Sequence, residues 1–385
     1  MTGMTAYRCS RIFDGEKIHR DAALLVEGGV VAGLCPVEDL PGAITSVDLG
    51  EGVLSPGLID LQVNGGGGLM LGDARSVEDI ARICVAHLQL GSTALTPTLI
   101  TDTPETTRRI IDLAIDAWTQ GVPGFHGLHL EGPHLFVGRK GAHDASLIRP
   151  MTDEDLDLYI SAARQLPSLM MTLAPETVDP GQIASLVGAG IHVSLGHSGA
   201  SYAECRKATE AGASCVTHLF NAMSPLQHRE PGLVGAALDL GALNAGLIAD
   251  GIHVDPAAIR IALKSKTGPG RIFLVTDAMS QTGTDVTSFT LGNREIFRRN
   301  GMLTLADGTL AGADIDLPSS LKYLTSELGV GLETALAMAT SYPADVIRLP
   351  LGRFKEGCAA DFVLLSEAMA VMDVWLSGTS QQHSG

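Results

Sequence analysis

Between residues 58 and 276 the chain alternates short apolar runs with longer amphipathic stretches, and eight such runs can be counted: 58–63, 93–99, 125–130, 169–174, 191–196, 215–218, 245–249 and 272–276. This alternation is the signature of βα units around a parallel sheet, and eight parallel strands predict a closed (β/α)8 TIM-like barrel. Aromatics are only 4% of 385 residues against 45% hydrophobic in all. The core is therefore read as Ala, Val, Leu and Ile, which suits strands buried on both faces. Several intervening helices carry start signals. Thr103-Pro104, Asp179-Pro180 and Asp255-Pro256 each set an N-cap before proline, and Ser201 with Glu204 makes a capping box.

The two ends read differently. The first fifty residues hold short apolar runs (22–26, 30–34) broken by Glu27-Gly28-Gly29 and Pro41-Gly42, the spacing of antiparallel strands joined by tight turns. Runs at 361–365 and 371–376 look alike, so the two ends are expected to build one small β-sandwich domain. The expected division is 1–55 and 345–385 for the sandwich and 56–344 for the barrel. A β hairpin is expected near 283–312 with turns at Gly292-Asn293 and Asn300-Gly301, followed by helices at 317–328 and 331–341.

A formal net charge of −17 argues against nucleic acid or an anionic membrane as partner, because both need a basic footprint. Six scattered cysteines with no C-x-x-C pair point neither to a disulfide framework nor to a thiolate zinc site. No stretch reaches the ~18 apolar residues of a membrane span, and the N-terminus lacks a signal-peptide core, so a cytoplasmic protein is expected.

Polar residues interrupt the strand pattern at four carboxyl ends: Glu131, His197, His218 and Asp277. In a β/α barrel those ends converge on the face that carries catalysis. Two imidazoles and a carboxylate are a common zinc set with a position left open for water, and Asp277 would be a nearby carboxylate for proton transfer. The bare pattern thus predicts a metal-dependent hydrolase.

Local motifs narrow this. PGLIDLQVNGGGG (56–68), HLEGP (129–133), GHS (196–198), THLFNAM (217–223), REPGL (229–233), DGIHVD (250–255) and VTDA (275–278) stand in one order along the chain. Together they resemble N-acetylglucosamine-6-phosphate deacetylases of the amidohydrolase superfamily. The resemblance implies that Glu131, His197 and His218 hold one divalent metal ion per subunit, zinc first, with iron, manganese or cobalt as alternatives. It implies Asp277 as catalytic acid/base and His143 beside the reacting carbonyl. Substrate contacts implied are Ala142, Asn221, Ala222 and the run Asp250, Gly251, Ile252 and His253, with Leu310, Ala311 and Gly312 closing the acyl end. Arg229 is implied to reach the substrate phosphate of a neighbouring subunit, hence a homodimer. The implied reaction frees acetate from N-acetyl-D-glucosamine 6-phosphate. Its galactosamine epimer, a cyclic amide, or a non-catalytic scaffold role are the alternatives.

Where many amidohydrolases have His-x-His for a second metal, this chain has Gln62 and Asn64, poor zinc ligands that are read as vestigial second-metal positions. None of its seven lysines lies in an expected barrel strand to bridge two ions. His134 is read as lining the mouth, with a stray metal ligand as the alternative. His129 shares a strand face with Glu131 and is either a partner orienting a ligand or an interior hydrogen-bonded residue. Gly65 to Gly68, Gly132, Gly196 and Gly251 are read as places where backbone passes close to a ligand. Because the substrate is itself an anion, its recognition falls to local cations: Arg229, His253, His143 and the metal.

Overall fold

The computed structural model describes residues 3–42, 44–291, 294–299, 301–308 and 310–381. They form two compact units, one of Met1–Asp60, His87–Ala94 and Asp316–Gly385, the other of Leu61–Ala86 and Leu95–Ile315. Both expected domain boundaries, at 55/56 and 344/345, fall inside the first unit.

In that first unit, Thr5–Arg8 pairs antiparallel with Ala22–Glu27 and parallel with Thr45–Asp48, so one pairing departs from the antiparallel expectation. Gly28 and Gly29, at φ 59° and 82°, close the hairpin between Ala22–Glu27 and Val30–Pro36. Only glycine adopts two successive positive φ angles without strain, which is why a two-residue turn is possible there. The chain ends meet in a six-stranded sheet in which Phe362–Leu365 pairs with both Val53–Pro56 and Val371–Leu376. Between this sheet and the four-stranded one lies a core that gathers four aromatics, Tyr7, Phe354, Phe362 and Trp375. Phe362 stacks on Trp375 at 4.6 Å and takes the edge of Tyr7 at 5.1 Å.

The eight barrel strands are β1 (Leu58–Val63), β2 (Ser92–Ile100), β3 (Leu128–Glu131), β4 (Leu169–Leu173), β5 (His192–Leu195), β6 (Cys215–Val216), β7 (Asn244–Leu247) and β8 (Ile272–Leu274). Each is a hydrogen-bonded neighbour of the next, and the paired registers from β2 to β8 are parallel. Closure comes from a parallel bridge between Val63 and Ala278, with Asp277 N–H donating to the Gln62 carbonyl at 3.0 Å. Thr103, Asp179, Ser201 and Asp255 cap their helices as expected.

Strands β5, β6 and β8 end earlier than their apolar runs. Within two or three residues of each strand end the backbone turns to positive φ, at His197, His218 and Asp277, with 46°, 28° and 52°. Non-glycine residues in this region carry strain of about 1–3 kcal/mol each, held only where surrounding structure fixes them.

The expected hairpin is a four-stranded antiparallel sheet, Ser288–Leu291, Arg294–Arg299, Met302–Thr304 and Leu310–Ala313. The turn residues Gly292, Asn293 and Asn300 lie outside the described residues. Its apolar side chains Leu291, Ile296, Leu303 and Ala311 pack with Met70 and Met279. Among the described residues no helix is long and apolar enough to cross a membrane.

Candidate active site

Glu131 ends β3 and is 2% exposed; His197 and His218 follow β5 and β6 and are equally buried. Both imidazoles aim Nε2 at the same carboxylate oxygen, Glu131 Oε1, at 3.2 and 3.1 Å, and at each other at 3.0 Å. His197 Nδ1 lies 2.9 Å from the Arg139 carbonyl, which only accepts, so Nδ1 carries the ring proton and Nε2 presents a lone pair. A lone pair facing a carboxylate oxygen at this range is repulsive unless positive charge lies between them. His218 Nδ1 is buried without a partner among the described residues. Burial acts to lower its ring, but the hydrogen bond and charge of Glu131 outweigh that and raise it. For Glu131, burial acts upward and the two histidines outweigh it, holding the carboxyl well below its ordinary range. The donor set, two nitrogens and one oxygen around a common point that calls for positive charge, fits a divalent cation.

His143 makes a second trio with Glu131 and His197, its ligand atoms within 4.8 Å of theirs. Its tautomer sets it apart. Thr101 N–H donates to Nδ1 at 3.3 Å, leaving the ring proton on Nε2, 3.9 Å from Glu131 Oε2. That nitrogen is a donor into the site, unsuited to ligating. Burial first, then the neighbouring His197, push the ring down to about 3, so His143 is neutral near pH 7. It adds no positive charge, contrary to the cation expected there.

Asp277 stands beside this cluster. Burial and the Glu131 charge raise its carboxyl. Gln62 and Asn64 donate to its Oδ1 at 3.1 and 2.7 Å, and Gln62 also donates to Glu131 at 3.1 Å. The two amides thus hold the acids in place, with Oδ2 of Asp277 left available. Neither this role nor the orienting contacts of Thr101 and Arg139 was legible in the sequence, since each depends on which strand ends meet.

Asn64, Glu131, His143, His197, His218 and Asp277 line a cavity of about 170 Å³, with Ala142, Asn221, Ala222, His253, Leu310, Ala311 and Gly312 also in its wall. Asp250, Gly251 and Ile252 are not in the wall. Asp250 holds His253, accepting from its Nδ1 at 2.6 Å and from the Ile252 and His253 amides at 2.8 Å each. Arg229 is exposed and also outside the wall.

Two histidine readings resolve. His129 is an interior hydrogen-bonded residue, bonded to the Leu61 carbonyl at 2.9 Å and the Thr172 hydroxyl at 2.7 Å. Thr217 and Ser194 continue that chain with bonds of 2.6 Å each. His134 does not line the mouth. It is fully buried, pinned between the Arg149 carbonyl at 3.0 Å and the Tyr159 hydroxyl at 3.1 Å. The glycine reading also changes: a Cβ at Gly132 would meet Thr101 Oγ1 at 2.2 Å, and one at Gly196 would meet Thr172 and Thr217 side chains at 2.8 and 2.9 Å. Their smallness serves packing between neighbouring strands.

Burial pushes both His129 and His134 down to about 4. Their unfolded rings take up protons near pH 6.5, so stability is full above that value and is lost as pH falls towards 4. Two such groups give a slope of about 3 kcal/mol per pH unit in this window. Denaturant unfolding at pH 7, 6 and 5 should show it, and a flat profile would contradict neutral burial of both rings.

Residues 53–380 match the model of the Amidohydrolase family, and residues 4–53 match that of the NagA composite domain. An N-acetylgalactosamine-6-phosphate deacetylase of Shewanella sp. is 40% identical over 95% of both chains. An N-acetylglucosamine-6-phosphate deacetylase of Haemophilus influenzae is 32% identical over 97% of this chain and 98% of its own. The crystal structure of N-acetylglucosamine-6-phosphate deacetylase from Pasteurella multocida superposes with a TM-score of 0.93 at 35% identity, covering 98% of this chain and 99% of that one. A barrel and end-built sheets shared at that closeness, with the composite domain matched at the N-terminus, leave one assignment: the chain is a hydrolase that belongs to the N-acetylglucosamine-6-phosphate deacetylase family of the amidohydrolases.

Proposed function

We propose that this protein hydrolyses the acetamide of N-acetyl-D-glucosamine 6-phosphate, giving D-glucosamine 6-phosphate and acetate. The observation that carries this reading is the convergence of Glu131, His197 and His218 beside an Asp277 held by Gln62 and Asn64. Glu131, His197 and His218 would hold a single divalent ion, zinc by the donor set. When bound, it supplies Lewis-acid polarisation and lowers the pKa of water.

The chain's own residues do the rest. Asp277, through Oδ2, takes a proton from the attacking water as its oxygen bonds the amide carbon. His143 donates Nε2–H to the carbonyl oxygen as negative charge grows there, a contribution of about 3–4 kcal/mol for such donors. Asp277 then passes the proton to the amide nitrogen, so that the C–N bond breaks to release an amine instead of reversing to water. Asn221, Ala222 and His253 face the sugar.

Arg229 is exposed and no hydrogen bond is made by its side chain among the described residues, which supports its service to the phosphate in a second copy's cavity within a homodimer. Arg229→Ala should raise KM about ten- to a hundredfold with kcat little changed, the range for a hydrogen bond to a charged group. An unchanged KM removes it from the phosphate site.

A second reading is favoured by the 40%-identical relative, whose name specifies the galactosamine epimer. Acetate release from both 6-phosphates by one metal-assayed preparation tests the two together. Turnover of the glucosamine substrate at higher kcat/KM supports the first reading; preference for the other epimer supports the second; turnover of neither sinks both.

A further inference from the structure

Beyond the catalytic cavity lies a larger one, of about 540 Å³. The two share Asn64, Ile100, Ala142, His143 and Leu291 in their walls. The larger cavity touches none of Asn221, Ala222, His253, His197 or His218. Those residues line the smaller cavity only, so the shared side chains form a different part of its wall from the sugar-facing residues. An amide whose sugar lies against Asn221 and His253, with its carbonyl at His143, leaves its acyl substituent the rest of the wall, made by the shared side chains and by Leu310, Ala311 and Gly312. The apolar members of that shared wall are Ile100, Ala142 and Leu291, which belong to one packed cluster with Met279 and Met70, and of these Ile100 and Leu291 are the large ones. Leu291 is 8% exposed. On the far side, Met70, Ile100, Leu147 and Leu291 are the apolar part of a larger cavity whose wall also carries Asp73, Asp102, Lys140, Asp144 and Arg294.

Resting on the deacetylase reading above, we infer that Ile100 and Leu291 form a partition that sets the size limit of the N-acyl group, and that trimming it lets longer acyl chains extend into the cavity behind. Both side chains are aliphatic and carry no hydrogen bond, so trimming either one sacrifices no polar contact and widens the passage between the two spaces. A pocket limit of this kind discriminates about 10–200-fold per methylene.

The test measures kcat/KM on the N-acetyl, N-propanoyl and N-butanoyl forms of the amino-sugar 6-phosphate, for the metal-loaded wild type, Ile100→Ala and Leu291→Ala. The wild type should prefer acetyl over butanoyl by at least about tenfold, and at least one variant should shift the butanoyl-to-acetyl ratio by about tenfold or more towards butanoyl. Each ratio comes from one sample, so partial unfolding of a variant cancels, and a purely structural role for either residue lowers both substrates alike. Ratios unchanged in both variants, or a wild type indifferent to chain length, overturn the inference while acetyl turnover leaves the deacetylase reading standing. Absence of acetyl turnover by the wild type sinks that reading and the inference with it.

Discussion

Replacing Asp277 by Asn should lower kcat by about 10³–10⁴ while leaving the bound metal in place, because one side chain performs both proton transfers and each such role contributes about 10²–10⁴. The substitution is chosen for its shape. The Asn carbonyl oxygen still accepts from Gln62 and Asn64, which now donate to Oδ1 at 3.1 and 2.7 Å, so the side chain stays where it is and only its basicity is removed. The sign of the pH dependence follows from the same residue. Burial and the Glu131 charge raise the Asp277 carboxyl, and a base works only when ionised, so kcat/KM rises with pH through that raised value. A cation on Glu131 removes the second cause and leaves the first. In Asp277→Asn this acid limb should vanish. Metal analysis alongside single-turnover acetate release decides the matter, and a variant that keeps wild-type turnover excludes Asp277 as the base.

The second large effect is expected at Glu131. Its oxygen is the one atom that both histidines and Gln62 address, at 3.1 to 3.2 Å, and it is the only anion of the trio. Glu131→Gln preserves volume and an acceptor oxygen but removes the charge. Loss of a partner that merely orients a ligand weakens metal binding about 10–100-fold, so loss of the anionic ligand itself should exceed that. The predicted outcome is a variant purified with little metal, with acetate release near background, and without the rise in Tm that added divalent metal gives the wild type through binding to the folded state. Chelator treatment of the wild type should reproduce all three. Stoichiometric metal in Glu131→Gln would place the ion elsewhere.

Much of the molecule was readable before folding. The eight apolar runs located every barrel strand because parallel strands buried on both faces are rich in aliphatic residues. The caps at Thr103, Asp179, Ser201 and Asp255 were readable because capping is a contact within three residues. The strand ends were not. His197, His218 and Asp277 turn their backbone to positive φ, which non-glycine residues hold only where the surrounding structure fixes them, and no local pattern encodes that. His134 was misplaced for a similar reason: its partners, the Arg149 carbonyl and the Tyr159 hydroxyl, lie 15 and 25 residues away.

What the sequence alone determined was the alternation that makes a barrel, the sandwich built from both chain ends, and the residue types at the strand termini, since all three follow from periodicity and local chemistry. What only the tertiary structure decided was the protonation and role of each group. Whether an imidazole offers a lone pair or a proton depends on what its other nitrogen meets, a carbonyl for His197 and an amide N–H for His143. Gln62 and Asn64 changed from poor metal ligands to the supports of Asp277 only because β1 and β8 meet where the barrel closes. Hydrogen-bond direction is a property of two atoms brought together in space, and the chain order of those atoms does not contain it.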